Sequence, residues 1–237
     1  MRLIVNFTKN TEPVPVNNQN VINSYIHDCL GRNNKYHDIS GDYNISLLLG
    51  GTTNENGFMD FKNGGRIIIS TQDNEFLEKL LSAIMLNKNL SWGMIYKNVD
   101  FINEIFYSGI NHFYTLSPIL LKKITGDKKY TFHTKNDSDF DEVLTIRMKN
   151  KLQKISDKSN LKLNLSDFKI TTTNSGKEKV KPVIVKNVLN KVSTCIVSIT
   201  CKQNVAELIY HLGLGQSTNS GFGCVCKVEN QQNYKLG

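Results

Sequence analysis

Five histidines, His27, His37, His112, His133 and His211, are the side chains of this sequence best suited to moving protons near neutral pH. His37 lies in a polar run, Asn33-Asn34-Lys35-Tyr36-His37-Asp38, of the kind that a loop exposes to a substrate. From the residues alone it reads first as a surface histidine and only second as a proton carrier. His211 reads equally as a helix-terminal histidine set against the helix dipole. Residues 213–223 carry a different chemistry: Gly-Leu-Gly-Gln-Ser-Thr-Asn-Ser-Gly-Phe-Gly. Glycines permit positive φ and let backbone N–H groups approach an anion closely. Gln216, Ser217, Thr218, Asn219 and Ser220 add side-chain hydrogen bonds but no charge, so a positive field must come from elsewhere. A Walker A loop is excluded by the missing lysine. A dinucleotide fingerprint would need a glycine where Thr218 stands and a helix after the loop rather than before it. A plain flexible helix-to-strand connection stays open.

The field has an evident source. The chain carries a net charge of +8, but residues 1–120 hold 9 Lys+Arg against 11 Asp+Glu, whereas residues 121–237 hold 20 against 10. A basic half of this kind attracts polyanions, with salt-dependent binding through counterion release. The cysteines Cys29, Cys195, Cys201, Cys224 and Cys226 are odd in number and include no Cys-x-x-Cys. Neither a zinc site nor a disulfide framework is expected, and reduced thiols in a cytoplasmic protein are. No metal or other cofactor is expected. No stretch approaches the roughly 20 apolar residues of a membrane span, and residues 1–7 read as a first strand rather than a signal peptide.

The elements that must position these residues repeat one order. Residues 2–8 read as a strand and 17–30 as a helix, with Val21, Ile22, Tyr25, Ile26 and Leu30 on one stripe. Strands follow at 43–49 and 66–70, then a helix capped by Asp73 or Asn74 and running to about 86, then a strand at 99–107. The second half gives a strand at 115–122, a helix at 140–155, strands at 161–172 and 192–201, a short helix at 204–212 and a strand at 222–228. The expected fold is therefore α+β, two tandem ferredoxin-like (βαββαβ) domains, 1–112 and 113–237. Residues 52–65 read as a loop or hairpin tip. Residues 173–181 read as a basic hairpin tip, solvated or reaching a phosphate backbone.

With these motifs in place, the sequence resembles the CRISPR repeat-processing endoribonucleases of the RAMP superfamily. Gly213-Leu214-Gly215 and Gly221-Phe222-Gly223 match that family's C-terminal signature, and Leu116-Ser117-Pro118 matches the strand that opens its second domain. His37 followed by Tyr43-Asn44-Ile45-Ser46-Leu47-Leu48 matches its histidine-then-strand arrangement. The resemblance implies cleavage of CRISPR repeat RNA by general acid–base chemistry, with His37 and Tyr25 at the catalytic positions. Several family members carry a lysine soon after the histidine. Residues 38–61 here contain no Lys or Arg, and Lys35 is the substitute. RNA contacts are expected from Gly213, Gly215, Gln216, Ser217, Asn219, Gly221 and Gly223, and from Lys122 and Lys123. Lys128, Lys129, Lys149, Lys151, Lys154 and the 177–181 turn are further basic candidates. A non-catalytic RAMP-type subunit that holds guide RNA is the alternative. A ferredoxin-like protein binding a small phosphorylated ligand is a third reading. A homodimer and other effector subunits remain open as partners.

Overall fold

The computed structural model of the chain describes residues 1–31, 34, 36, 42–125, 129–173, 176, 178–185 and 188–234. The first half folds as β1 (Arg2–Phe7), α1 (Gln19–Leu30), β2 (Tyr43–Ile45), β3 (Gly65–Thr71), α2 (Asn74–Leu86) and β4 (Met94–Ile102). Its antiparallel sheet runs β2-β3-β1-β4, with Asn89–Ser91 as an added edge. The second half repeats the order with β5 (Gly109–Thr115), α3 (Phe140–Ser159), β6 (Lys169–Thr173), β7 (Ile196–Cys201), α4 (Gln203–Leu212) and β8 (Val225–Lys227). Its sheet runs β6-β7-β5-β8. Both halves are thus ferredoxin-like units in tandem.

Alternation along each strand decides what each face does. In β1, Leu3, Val5 and Phe7 point toward α1 and α2 and join the first core with Ile22, Ile26, Phe76 and Leu80. Ile4, on the opposite face, packs with Ile68 of β3 and with Cys224, Cys226 and Tyr234 of the second half. The helix-free face of the first sheet is therefore covered by the second half. α4 suits that position because it is apolar around much of its circumference: Val205, Ala206, Leu208, Ile209, Tyr210 and Leu212 are all buried. It faces its own sheet on one side and β2 and β3 on the other. Asp73 caps α2 as expected, its carboxylate accepting from the Phe76 N–H at 3.0 Å. Val21, expected on the buried stripe of α1, is exposed.

Four expected elements differ in position. The strand opening the second half is Gly109–Thr115, not 115–122, so the expected division between 112 and 113 falls inside it. Residues 116–121 instead form a buried extended segment, joined to the sheet system by the Ile119–Ser193 bridge. The expected strand at 161–172 is confined to Lys169–Thr173; Leu163 and Leu165 pack on the core without strand partners. The stretch at 192–201 splits at Cys195. Its first part, Val188–Thr194, pairs with Lys179–Val185 in a hairpin of its own, so Lys179–Lys181 of the expected 173–181 tip are strand, while residues 174, 175 and 177 lie outside the described residues. The strand expected at 99–107 is Met94–Ile102. Among the described residues no helix is long and apolar enough to cross a membrane.

A fully buried arginine crosses between the halves. Arg2 of β1 donates to the carbonyl of Val225 (2.5 Å), to the carbonyl of Tyr210 and to the Tyr234 hydroxyl (3.3 Å), and its guanidinium lies 3.5 Å from the centroid of the Tyr210 ring. Its counter-charge is one step removed: the Tyr234 hydroxyl donates to Glu104 at 2.7 Å. Hydrogen bonds to charged groups contribute roughly 1.5–3 kcal/mol each, and orphaned buried acceptors are costly. Arg2→Met should therefore lower unfolding stability by about 2–4 kcal/mol. Arg2→Lys should recover less than half of that, because an ammonium cannot reproduce the planar fork. Urea unfolding monitored by circular dichroism checks both.

Candidate functional site

The glycine-rich loop leaves α4 and returns to β8 through the seam between the halves. Its glycines serve close packing against protein. Gly213, Gly215, Gly221 and Gly223 all have positive φ. A β-carbon on Gly223 would lie 1.8 Å from the Leu214 carbonyl oxygen, and one on Gly213 would lie 2.6 Å from the Asn44 amide nitrogen. The N–H groups at both ends of the loop are committed inward. Leu214 donates to Gly223 O (2.8 Å), Gln216 to Leu120 O (2.9 Å) and Gly223 to Pro118 O (2.8 Å). Gly215 donates to the Met148 sulfur at 3.3 Å. The 116–121 segment is thus the surface against which the loop is moulded. The Gln216 side chain completes that contact by accepting from the Lys122 N–H at 2.7 Å.

The first half supplies the other wall. Asn44 of β2, fully buried, donates to the carbonyls of Thr218 and Phe222, both at 2.9 Å. Gly221 sits against the Gln19 side chain at the start of α1. These anchors lie beside the ends of the His37 segment. On one side, the hydroxyl of buried Tyr36 donates to Asp73 at 3.0 Å, and its ring packs edge-on to Phe76. On the other, the Asp42 carbonyl accepts from the Thr71 hydroxyl at 2.7 Å, and its carboxylate pairs with Lys158 at 2.5 Å. His37 and Lys35 themselves lie outside the described residues, as do Lys128 and Lys177.

The positive field comes from α3. Its apolar stripe, Phe140, Leu144, Met148 and Leu152, faces the core. Arg147, Lys151, Lys154 and Lys158 follow one another along the helix at intervals of four, three and four, which aligns them on a second stripe. Arg147, Asn150, Lys151, Lys154, Lys122 and residues 215–219 line a cavity of about 350 Å³. Of the expected contacts, Gly215, Gln216, Ser217, Asn219 and Lys122 reach this cavity. Gly213, Gly221 and Gly223 do not line it, and Lys123 stands on the exposed 122–132 hairpin. Arg147, Asn150 and the anchor Asn44 were missed by the sequence reading. Reading α3 for a cationic stripe beside its apolar one would have found Arg147.

Two expected chemical groups have other engagements. The Tyr25 phenol is buried and donates to the Asn87 carbonyl at the end of α2 (3.0 Å). Burial pushes its pKa up, and its ring packs edge-on to Phe7. In this arrangement Tyr25 joins α1 to α2. His211 is driven down to about 3 by burial, then by the neighbouring N-terminus and Arg2. It is neutral at physiological pH, so a charge–dipole role at the end of α4 does not apply.

In the comparisons, a family model described as CRISPR associated protein Cas6, C-terminal, matches residues 100–226. Among solved structures, the chain is similar to the product of a Cas6-related gene from Pyrococcus furiosus (TM-score 0.83, 22% identity, covering 98% of this chain and 99% of that one). It is similar to a RAMP protein described as binding different RNA substrates (TM-score 0.83, 19% identity, 96% and 99% covered). It is also similar to a Cas6 solved as a product complex (TM-score 0.68, 14% identity, 96% and 99% covered). At these identities the likeness establishes the fold. No curated protein matches.

Two outcomes follow. Gly223→Ala should cost at least about 3 kcal/mol or prevent folding, since both φ and the Leu214 carbonyl oppose a β-carbon. Gly57→Ala, with positive φ but open space around it, should cost only about 1 kcal/mol; paired thermal melts check the difference. The His211 shift also has a defined sign. Its folded pKa lies below that of the unfolded chain, so the unfolded state alone takes up a proton between pH 6.5 and 3, and stability falls as pH drops through that window. His211→Gln should flatten this acid limb in unfolding measured from pH 7 to pH 4.

Proposed function

The chain belongs to the family described as CRISPR associated protein Cas6, C-terminal, and on that footing we propose that it is an endoribonuclease that cuts CRISPR precursor RNA within its repeats without a metal. The observation that carries this reading is the meeting of three elements at one seam. The Asp42–Asn44 exit of the His37 segment, the cationic stripe of α3 and the glycine-rich loop are tied together by the Lys158–Asp42 ion pair and the Asn44 hydrogen bonds. The cavity between the loop and α3 faces the backbone of the bound strand, and the His37 segment supplies the chemistry. Relatives described as an RNA-binding RAMP protein and as a product complex share this fold and support the choice of RNA as substrate.

In the proposed reaction the ribose 2′-oxygen attacks the adjacent phosphorus as its proton leaves to a base. The bond from phosphorus to the 5′-oxygen breaks as that oxygen receives a proton. The products are a 2′,3′-cyclic phosphate and a 5′-hydroxyl. His37 takes one of the two proton-transfer roles, since an imidazole suits either near neutral pH. Lys35 offsets the charge developing on the phosphorane. Tyr25 supports α1 from within the core rather than transferring a proton, because its hydroxyl is bound to the Asn87 carbonyl.

Incubating the protein with a labelled repeat RNA in EDTA should give discrete cuts ending in cyclic phosphate. His37→Ala should slow cleavage by on the order of 10²–10⁴-fold, the usual share of a positioned acid or base. Tyr25→Phe should leave the rate within a few-fold of the parent. Wild-type protein that binds the repeat tightly yet releases no product over hours would identify a guide-holding subunit instead. The absence of Lys and Arg from residues 38–61 is the feature that favours that second reading.

A further inference from the structure

Lys151 occupies an unusual position for a surface-helix lysine. Its ammonium is enclosed at the end of α4, donating to the carbonyls of Leu212 (2.8 Å) and Gly213 (3.4 Å) and to the Thr218 hydroxyl (3.1 Å). Part of the same side chain opens onto the cavity of about 350 Å³, within the roughly 300–1,000 Å³ range of small-ligand pockets. Three cations share that cavity with it: Arg147 and Lys154 from α3, and Lys122 from the start of the 122–132 hairpin.

The charges facing Lys151 do not balance. From the first half it faces Asp42, but that carboxylate is already paired with Lys158. From the last turn of α4 it meets backbone carbonyls, and His211 in that turn is neutral. From its own helix and from the hairpin it faces only positive groups, Arg147, Lys154 and Lys122. The cavity lining thus holds four cations and no carboxylate, and the half-buried carboxylate nearest in charge, Asp42, is already engaged. Burial drives the Lys151 pKa down to about 7, and Asp42 offsets this only in part. An anion entering the cavity would supply the missing negative charge.

We propose that the cavity seats one phosphodiester group of the bound RNA strand on Arg147 and Lys154, beside the enclosed Lys151 ammonium, and that its occupation draws a proton onto Lys151. The inference rests on the RNA reading above and adds to it a site and a linkage. A lysine that is half charged in the free protein becomes fully charged in the complex, so affinity falls with rising pH in the window where the two forms differ. With a free pKa of about 7 and a bound value about two units higher, affinity should fall about fivefold between pH 7 and pH 8. Lys151 is also a structural cap, so weakened binding in a truncated variant alone would not identify this role. The proton linkage would, because capping alone produces no proton uptake on RNA binding.

The test uses the full chain and a 2′-O-methyl oligoadenylate, which cannot be cut by its own 2′-oxygen and whose bases do not titrate between pH 6 and pH 9. Affinity is measured by fluorescence anisotropy across that range at constant salt. Proton uptake is measured at pH 7 from binding heats in buffers of different ionisation enthalpy. The expected result is the fivefold fall and an uptake of about half a proton per complex. Lys151→Arg, charged throughout, should lose the uptake and most of the pH dependence between pH 7 and pH 8, whatever its absolute affinity. If the wild type binds with a flat pH profile and no uptake, or if Lys151→Arg retains both, the linkage is overturned while the RNA reading stands. If neither the oligoadenylate nor a repeat RNA binds at low salt, the RNA reading itself fails and the inference falls with it.

Discussion

The last turn of α4 ends inside the protein, and the seam is arranged around that fact. A helix leaves its final four carbonyls without intrahelical partners, which is tolerable in water and expensive in a core. Here each finds a donor from a different part of the chain. Ile209 O accepts from the Gly213 N–H, Tyr210 O from Arg2, His211 O from the Ser70 hydroxyl and Leu212 O from Lys151. Arg2 and Ser70 belong to the first half, and Lys151 belongs to the second. The two cations also complement the negative end of the helix dipole. The end of α4 is therefore satisfied only when both halves are folded and docked, so the halves do not behave as independent beads on a linker. The glycine-rich loop starts at this point, and its position follows from it.

The loop's glycines then acquire a meaning different from the one the sequence suggested. Glycine beside hydroxyl and amide residues reads as a surface for phosphate, because backbone N–H groups can approach an anion there. The N–H groups of Leu214, Gly215, Gln216, Ser220 and Gly223 are instead bound to Leu120, Pro118, Met148 and the loop itself. Gly213 and Gly223 have no side chain because Asn44 and Leu214 occupy the space one would need. The loop shapes a wall, and the charge on the cavity comes from α3, more than fifty residues earlier in the chain. Identifying the stretch as important was possible from composition. Assigning its task required knowing what lay within 3 Å of each missing β-carbon.

The order of elements was legible because each half repeats one arrangement and its helices carry strong apolar periodicity. The displaced elements have specific physical reasons. In β5 the inward positions include Asn111 and Thr115, whose polar groups are satisfied by Tyr107 O and Cys195 O, so the strand lacks the expected apolar alternation. The following segment, with buried Ile119, Leu120 and Leu121, looks more like a strand than the strand does. It is apolar because it lies under the glycine loop and the 179–194 hairpin. Leu161, Leu163 and Leu165 alternate like a strand, yet Leu163 and Leu165 reach the core from an irregular segment. Alternation reports which side chains are buried, and it reports pairing only when a neighbouring strand is there to accept it.

The two buried cations of the seam look alike in sequence and are not equivalent. Arg2 is enclosed on every side by Tyr210, Tyr234 and Val225, and a guanidinium keeps its charge under such conditions. Lys151 is bound to carbonyls at its tip but borders the cavity along its length, and an ammonium can release its proton when burial outweighs its partners. A cation of fixed charge suits the joint that must persist whether or not a strand is bound. A cation of variable charge suits the wall that a strand touches. The difference between arginine and lysine at these two positions follows from which of them faces open space, and neither position could be distinguished from an ordinary surface cation by composition or charge count.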